Sequence, residues 1–150
     1  MSNILDSNYE NPIDSPGFLL WQVTNLWQKK IKSTLKTLDL THVQFVLLAA
    51  CSVLDDTNEQ ITQTDLSQFT KTDVMMTSQV LRTLENKGLV ERKTHPFDTR
   101  AKVLHVTDKG RELAKEANKL VEDTDKKFFL KLEDNQHTFT LLLQELSQND

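Results

Sequence analysis

The sequence predicts a mainly α-helical protein that carries a single β-hairpin. Three observations support this fold class. Two short helical patterns lie close together within residues 62–87, two β-rich runs joined by a polar turn follow in residues 89–106, and a long helical pattern begins at Thr107. Apolar residues at three- and four-residue steps mark the helices, whereas short runs rich in Val and Leu mark the strands. This order of elements is typical of the winged helix-turn-helix fold.

The composition is that of an ordinary single-domain protein. The chain has 150 residues, of which 37% are hydrophobic and 27% are charged, enough for one core. No apolar run approaches the roughly 20 residues of a membrane span. The first residues lack a basic region followed by an apolar stretch, so we expect a cytoplasmic protein with no membrane partner. Cys51 is alone, which excludes an intrachain disulfide and a cysteine-based zinc site.

Residues 1–16 are predicted to form a flexible N-terminal arm or a coil packed on a partner, because they contain two prolines and show no periodicity. Residues 17–150 are predicted to form one domain. Its first helix spans residues 17–38, where apolar side chains recur at helical spacing. These side chains are Leu20, Val23, Trp27, Ile31 and Leu35.

A second helix is predicted to begin at the sequence Thr41-His42-Val43-Gln44, which forms a capping box. In this motif the Thr hydroxyl accepts the amide of Gln44, and the Gln side chain reaches back to the cap. Residues 45–54 are apolar nearly all round, so the helix must be buried on most sides. A polar loop is predicted over residues 55–59.

The winged-helix region is predicted to span residues 61–111. Its first short helix opens at Thr62-x-x-Asp65 and offers Leu66 and Phe69 to the core. After a turn, a second helix is predicted over residues 74–87. Its cap is Asp73, its inner stripe is Thr77, Val80, Leu81 and Leu84, and its end is Gly88, where a positive φ costs little.

The β-like runs at residues 89–93 and 102–106, joined by a turn over residues 95–99, are predicted to form a hairpin, which we call the wing. Thr107 is predicted to cap a long helix with one stripe, formed by Leu113, Ala117, Leu120, Thr124, Phe128 and Leu132. A last helix is predicted over about residues 134–146.

The first helix and the last two carry more apolar surface than one small module can cover. Aromatic side chains provide much of it: Trp21, Trp27, Phe128, Phe129 and Phe139. Burying this surface between two copies of the chain would account for it. We therefore predict that residues 17–38 and 112–148 form a dimerisation region.

Positive charge is concentrated in the winged-helix region, although the net charge of the chain is −4. Residues 62–111 contain nine basic and six acidic side chains, a surplus of three positive charges, whereas the rest of the chain has nine basic and sixteen acidic ones. A locally basic segment on an acidic body suits a protein that docks DNA in one orientation. A solvated mixture of charges would give the same surplus, so charge alone leaves both interpretations open.

The face of residues 74–87 opposite the core stripe carries side chains that can read a DNA groove. Residues near the start of such a helix reach base edges most easily, which favours Met75, Met76, Ser78 and Gln79 as candidates for specificity. Arg82 suits either a base or a phosphate. The alternative interpretation is that these residues form only the solvent-exposed face of an ordinary amphipathic helix. We favour DNA reading because two adjacent exposed methionines are unusual on a plain solvent face.

The wing carries further candidates for DNA binding: Lys93, Asp98, Arg100 and Lys102. Asp98 lies two residues before Arg100, a spacing that lets its carboxylate hold the arginine and the hairpin backbone. An arginine at a hairpin tip fits the narrow minor groove, where the negative potential is deepest. The alternative is a local turn-stabilising pair, worth under about 1 kcal/mol if exposed.

Three stretches of the sequence resemble the multiple-antibiotic-resistance regulator (MarR) family of bacterial transcription factors. They are TSQVLRTLENKGLVER at residues 77–92, HPFDTRAK at residues 95–102 and VTDKGRELA at residues 106–114. The plan of elements matches from about Phe18 to Leu146. The resemblance implies a homodimer whose recognition helices bind successive major grooves of a pseudo-palindromic operator. It also implies that small aromatic ligands relieve repression in many members.

The resemblance further implies a ligand pocket between the dimer helices and the winged-helix region, where Trp21, His42 and Phe45 are candidates to line it. Ordinary core packing is the alternative for each. No cofactor and no metal site are predicted, because the four histidines are scattered. Cys51 lies on the apolar helix rather than near the start of the first helix, where the peroxide sensors of the family have their cysteine, so a buried, unreactive thiol is expected.

The predicted function is that of a sequence-specific DNA-binding transcription regulator, a ligand-responsive homodimeric repressor with double-stranded DNA and a small aromatic effector as partners. The alternative is a winged-helix adaptor that binds another protein without specific DNA binding. An enzyme is disfavoured because the sequence has three glycines, no phosphate-binding loop and no nucleophile motif.

Overall fold

The computed structural model describes residues 4–57 and 60–148. Within these ranges the chain forms six α-helices and one antiparallel two-stranded sheet, which confirms the predicted mainly α-helical class with a single hairpin. The helices are α1 (Pro16–Lys36), α2 (His42–Asp55), α3 (Gln63–Thr70), α4 (Val74–Asn86), α5 (Asp108–Phe129) and α6 (Gln136–Ser147). The strands are β1 (Val90–Thr94) and β2 (Lys102–Val106), and short 3₁₀ segments occur at Pro12–Asp14 and Leu130–Asn135.

The first helix begins at Pro16, inside the segment predicted as an arm. Ser15 is its N-cap, since the Ser15 hydroxyl accepts the amide of Phe18 at 3.3 Å, and proline is favourable at the first helical position. Residues 1–3 of the predicted arm, residues 58–59 of the predicted polar loop and residues 149–150 of the predicted domain lie outside the described residues.

The core is built around α2, as its apolar sequence predicts. The capping box is confirmed: Thr41 Oγ1 accepts the amide of Gln44 at 3.2 Å, and the amide of Thr41 donates to Gln44 Oε1 at 3.1 Å. The side chains of α2 that are buried in the core are Phe45, Leu47, Leu48, Ala50 and Cys51. Burial is not complete, because Val53 is 60% exposed.

The predicted burial of Phe69 is wrong, since its side chain is 57% exposed. The short helix opens at Thr62 as predicted, with a capping box formed by Thr62 and Asp65, and Leu66 is fully buried. The buried face of α3 is centred between Leu66 and Ser67, however, and Phe69 lies about 110° further around the helix. In this orientation the eight-residue helix α3 leaves the ring of Phe69 in solvent.

The predicted apolar stripe of α5 is also displaced. The buried side of α5 consists of small residues and one valine, namely Gly110, Ala114, Ala117 and Val121, whereas Leu120 is 37% exposed. Small side chains let α5 lie close to α1 and α2. Polar bonds join α5 to α1 as well: the Trp27 indole donates to Asp125 Oδ1 at 2.7 Å, and the hydroxyls of Thr34 and Thr124 are 2.7 Å apart.

The first turn of α5 packs directly on the backbone that precedes β1. Thr107 caps the helix by accepting the amide of Gly110 at 3.0 Å, and its hydroxyl donates to the carbonyl of Gly88 at 2.7 Å. Gly88 ends α4 with φ of +75°, as predicted. A Cβ on Gly110 would lie well inside van der Waals contact with the carbonyl oxygen of Leu89. The Thr-x-x-Gly sequence is therefore required by this close approach.

The wing is tied to the core through its second strand. Strand β2 pairs with β1 in a register that joins Val90 to Val106, and the amide of Leu104 donates to the carbonyl of Ile61 at 2.8 Å. Asp55 at the end of α2 accepts the amide of Val106 at 3.0 Å and an Arg111 guanidinium N–H at 3.1 Å. One carboxylate thus links α2, β2 and α5.

Large apolar side chains remain exposed at the two ends of the chain. On α1 they include Phe18, Leu20, Trp21 and Leu26, which are 40–68% exposed, and on α6 they include Leu141, Leu142 and Leu146, which are 50–77% exposed. Among the helices of the described residues, none has the length and apolar character that crossing a membrane requires.

Gly110→Ala is expected to lower the free energy of unfolding by about 1–3 kcal/mol, because the new methyl group overpacks the junction with Leu89. Denaturant unfolding followed by circular dichroism measures this. Gly17→Ala is the matched control: the nearest atom to its Cβ would be 3.9 Å away, so stability should be unchanged or slightly higher. Equal stability of the two variants would contradict the role of Gly110.

Candidate nucleic-acid interface

The turn between α3 and α4 is short, and the side chain of Ser67 stabilises it. Lys71 adopts a left-handed conformation with φ of 57°, which reverses the chain within three residues. Ser67 is 5% exposed, and its hydroxyl donates to the carbonyl of Thr72 at 2.6 Å, while its carbonyl accepts the Thr72 amide at 3.1 Å. The angle between the two helices is therefore fixed by buried hydrogen bonds.

Helix α4 presents one face to α2 and the other to solvent. Asp73 caps the helix as predicted, accepting the amide of Met76 at 3.0 Å. Thr77 is fully buried without an unsatisfied hydroxyl, because its Oγ1 donates to the carbonyl of Asp73 at 2.8 Å. Leu81 and Leu84 continue this buried stripe into the core. The opposite face of α4 must consequently point outward.

The candidate base-reading residues lie on this outward face. Met75 is 72% exposed and Met76 48% exposed, and Gln79 and Arg82 are exposed as well, whereas Ser78 is half-buried. Val74, which was not among the candidates, is 57% exposed at the first position of the helix. Its position directly after the Asp73 cap, at the start of the helix, could have identified Val74 from the sequence as a neighbour of the methionines.

The wing is joined to α4 by an ion pair. Arg92 Nη2 lies 3.2 Å from Glu85 Oε1, and this hydrogen bond lowers the pKa of Glu85. The Arg92 side chain is only 18% exposed, so it holds β1 against α4. Lys93 and Lys102 remain at the surface, with Lys93 Nζ 3.8 Å from Glu91 and Lys102 Nζ 3.5 Å from the Thr94 hydroxyl.

The tip of the wing is ordered by its own side chains. Asp98 Oδ1 accepts the amide of Arg100 at 3.1 Å and lies 3.6 Å from Arg100 Nε, so the Asp-x-Arg spacing holds both backbone and guanidinium. The Arg100 side chain is nevertheless 93% exposed. His95 Nδ1 accepts two further amides of the turn, from Phe97 at 3.0 Å and from Asp98 at 3.1 Å. Sequence reasoning missed this role of His95.

A cavity of about 1070 Å³ lies between α1, the start of α2, the α3–α4 turn and α4. One wall is aromatic, with the rings of Trp27 and His42 packed edge to face at 4.9 Å. Burial lowers the pKa of His42, an effect that Asp125 opposes. Of the three residues expected to line a pocket, His42 does so. Trp21 lies outside the cavity at 68% exposed, and Phe45 belongs to the core at 7% exposed.

Four lysines surround the cavity, at positions 32, 36, 71 and 87. Lys87 follows the end of α4, and its Nζ donates to the carbonyl of Asp39 at 2.6 Å and to Gln44 Oε1 at 3.3 Å. At the other end of α4, Asp73 and Met76 also line the cavity. The cavity therefore contacts both ends of the helix that carries the base-reading candidates.

The structure offers no metal centre among the described residues, since no group of three or more His, Cys, Asp or Glu side chains comes together there. Cys51 is buried on α2, and burial together with the nearby charge of Asp55 raises the pKa of its thiol to about 12. Such a thiol is almost fully protonated at neutral pH.

Comparison with known proteins identifies the family. The sequence model described as the MarR family matches residues 40–102. The chain is 46% identical over 123 residues to the uncharacterized HTH-type transcriptional regulator YdcH of Bacillus subtilis, covering 82% of this chain and 84% of that protein. The chain belongs to the MarR family of transcriptional regulators.

Solved structures of MarR family proteins share the fold. A mutant MarR from E. coli complexed with operator DNA is 26% identical, covers 93% of this chain and 99% of its own, and superimposes with a TM-score of 0.78. The MarR family protein Rv2887 of Mycobacterium tuberculosis complexed with salicylic acid is also 26% identical, with coverage of 95% and 99% and a TM-score of 0.69. Rv2887 is described as a transcriptional repressor.

Cys51 is expected to react slowly with a disulfide reagent such as DTNB in the native protein at mildly alkaline pH. The raised pKa and the burial together should make the reaction at least about 100-fold slower than in protein unfolded by guanidinium chloride. The measurement is the release of thionitrobenzoate. If the native and unfolded proteins react at similar rates, the thiol is accessible, and redox sensing by Cys51 becomes a candidate function again.

Proposed function

We propose that this MarR family member is a homodimeric, sequence-specific DNA-binding repressor that responds to a small aromatic ligand. The observation that carries the proposal is the outward face of α4, which lies beside an ordered wing with an exposed Arg100. The operator complex of the E. coli relative supports a DNA partner, and the description of Rv2887 as a repressor supports the direction of regulation.

The chemistry and position of each side chain indicate which part of the DNA it would contact. Met75, Met76, Ser78 and Gln79 lie near the start of α4, so we assign base reading to them. Arg82, Lys93 and Lys102 are surface cations and are assigned to phosphates, which supply affinity rather than specificity. Arg100, oriented by Asp98, is assigned to the minor groove.

Dimerisation is supported by the exposed apolar residues of α1 and α6. A monomer would leave this surface in water, whereas a two-fold dimer formed through it would bury it. Two recognition helices related by a two-fold axis would suit half-sites about one helical turn apart. We therefore assign residues 17–38 and 112–148 to dimerisation and residues 61–111 to DNA binding.

The cavity between α1, α2 and α4 is the proposed effector site. Its aromatic wall of Trp27 and His42 suits a planar ring, and its lysines suit a carboxylate. Because the cavity is lined by Asp73 and Met76 at the start of α4 and by Lys87 at its end, an occupant at either place would contact the recognition helix α4 and could change how it meets DNA. The salicylic acid complex of Rv2887 supports this class of ligand.

One observation, the exposed apolar residues at the N-terminal end of α4, favours a second function as a protein-binding adaptor. Val74, Met75 and Met76 are 48–72% exposed, and a protein partner could cover them as an adaptor surface. Selection of bound sequences from random DNA duplexes separates the two functions. A regulator should yield a palindromic motif and lose affinity steeply with salt, whereas an adaptor should yield no motif. A reporter gene behind the selected site then distinguishes repression from activation.

Gln79→Ala is expected to relax base preference at one position of each half-site by about 1–3 kcal/mol, the range for a bidentate contact. Binding of the variant to all four bases at each operator position measures this. Thermal stability should be unchanged, because Gln79 is exposed. Identical preferences for both proteins would remove Gln79 from the reading set.

Lys36→Met is expected to weaken the binding of sodium salicylate by about 3- to 10-fold, because it removes one partly solvated cation from the cavity. Isothermal titration calorimetry measures the affinity. Lys29→Met is the matched control, since Lys29 lies on the same helix but does not line the cavity. Equal affinities of the two variants would place salicylate elsewhere or show that it does not bind.

A further inference from the structure

Phe97 is the apolar residue at the tip of the wing, and its side chain is 90% exposed. The aliphatic residues of the two strands behave differently: Val90, Val103, Leu104 and Val106 are at most 8% exposed. Leaving a whole phenylalanine ring in water is unfavourable compared with covering it, by roughly 1.5–3 kcal/mol. The ring is therefore a surface that gains free energy from a partner.

The backbone under Phe97 is fixed before any partner arrives. His95 Nδ1 accepts the amides of Phe97 and Asp98, and the amide of Ala101 donates to the carbonyl of Asp98 at 3.0 Å. The amide of His95 in turn donates to the carbonyl of Ala101 at 3.1 Å, which closes the turn. The His95 ring stands at 61° to the Phe97 ring, with centroids 6.0 Å apart. Binding would consequently cost little ordering of this segment.

The surroundings of Phe97 identify the partner by its charge. Arg100 is three residues away on the same turn and 93% exposed, and Lys93 and Lys102 lie at the ends of the strands that lead to it. A ring beside a cation matches the DNA minor groove, whose floor is negative and whose walls are formed by deoxyribose C–H groups. Proteins that enter this groove frequently place apolar side chains against it.

We propose that Phe97 is a second DNA-contacting residue of the wing, packing its ring in the minor groove beside Arg100 and favouring A·T pairs there. The exocyclic amino group that a G·C pair adds to the minor-groove floor would obstruct the ring. The proposal rests on the proposed DNA-binding function and extends it, because it gives the wing a sequence preference in addition to a phosphate or charge contact.

The test uses the full-length protein and an operator obtained by selection from random duplexes. Hydroxyl-radical footprinting with wild type and with Arg100→Ala locates the base pairs under the wing. Affinities are then measured for wild type, Phe97→Ala, Phe97→Leu and Arg100→Ala. Val53→Ala is the control for the loss of exposed apolar surface, since Val53 is 60% exposed on α2, outside the proposed DNA-binding set.

Phe97→Ala is expected to weaken operator binding about 10-fold, with Phe97→Leu closer to wild type and Val53→Ala equal to it. Replacing the A·T pairs under the wing by G·C should weaken wild type more than Phe97→Ala. Inosine·C pairs, which lack the added amino group, should restore wild-type binding.

Phe97→Ala with wild-type affinity and an unchanged penalty for G·C would overturn the proposal while leaving DNA binding intact. A change in oligomeric state of Phe97→Ala in sedimentation, without a change in DNA affinity, would assign the ring to a second copy of the chain and also overturn it. Wild type that yields no salt-dependent motif would overturn the proposed DNA-binding function itself, which is a distinguishable result.

Discussion

The contact between the first turn of α5 and the backbone at Leu89 is the constraint on which the arrangement of the site depends. Gly110 has no side chain, so the helix can lie against the carbonyl that connects α4 to β1. Thr107 bonds both to its own helix and to Gly88. The end of α4, the root of the wing and the start of α5 therefore meet at one point.

A few ion pairs and hydrogen bonds connect this junction to the other elements of the candidate interface. Arg92 joins β1 to Glu85 on α4, and Asp55 joins α2 to β2 and Arg111, while Arg111 also bonds Asp56. Helix α4 and the wing are thus both linked to α5, which extends toward the exposed apolar surface of the chain ends. Under the proposed dimer, the geometry between two DNA-binding regions is transmitted through the same helix.

The local features of this fold were predictable from sequence because they are decided within a few residues. The capping box at Thr41, the helix start at Thr62, the cap at Asp73, the positive φ of Gly88 and the extent of β2 all formed as expected. The order of the two helices and the hairpin was enough to predict the fold class.

Features decided by distant parts of the chain were not predictable in the same way. The exposure of Phe69 depends on the orientation of α3, and the small-residue side of α5 depends on how closely α1 and α2 approach. Trp27 rather than Trp21 lines the cavity because α1 enters the core only in its second half. The bonds of His95 to the wing backbone required the closed turn, which the spacing of residues did not reveal.

The polar part of the cavity lining has a consequence for how this scaffold diversifies. Four cavity residues also belong to the core or pack against it, namely Trp27, Leu40, Val43 and Val46, whereas most of the remaining lining is polar and includes the lysines. Exchanging exposed polar groups of this kind usually changes folding stability little, so the shape and charge of the cavity can vary while the packing of the core is kept. Under the proposed effector site, related sequences can thereby recognise different small molecules without a change of fold.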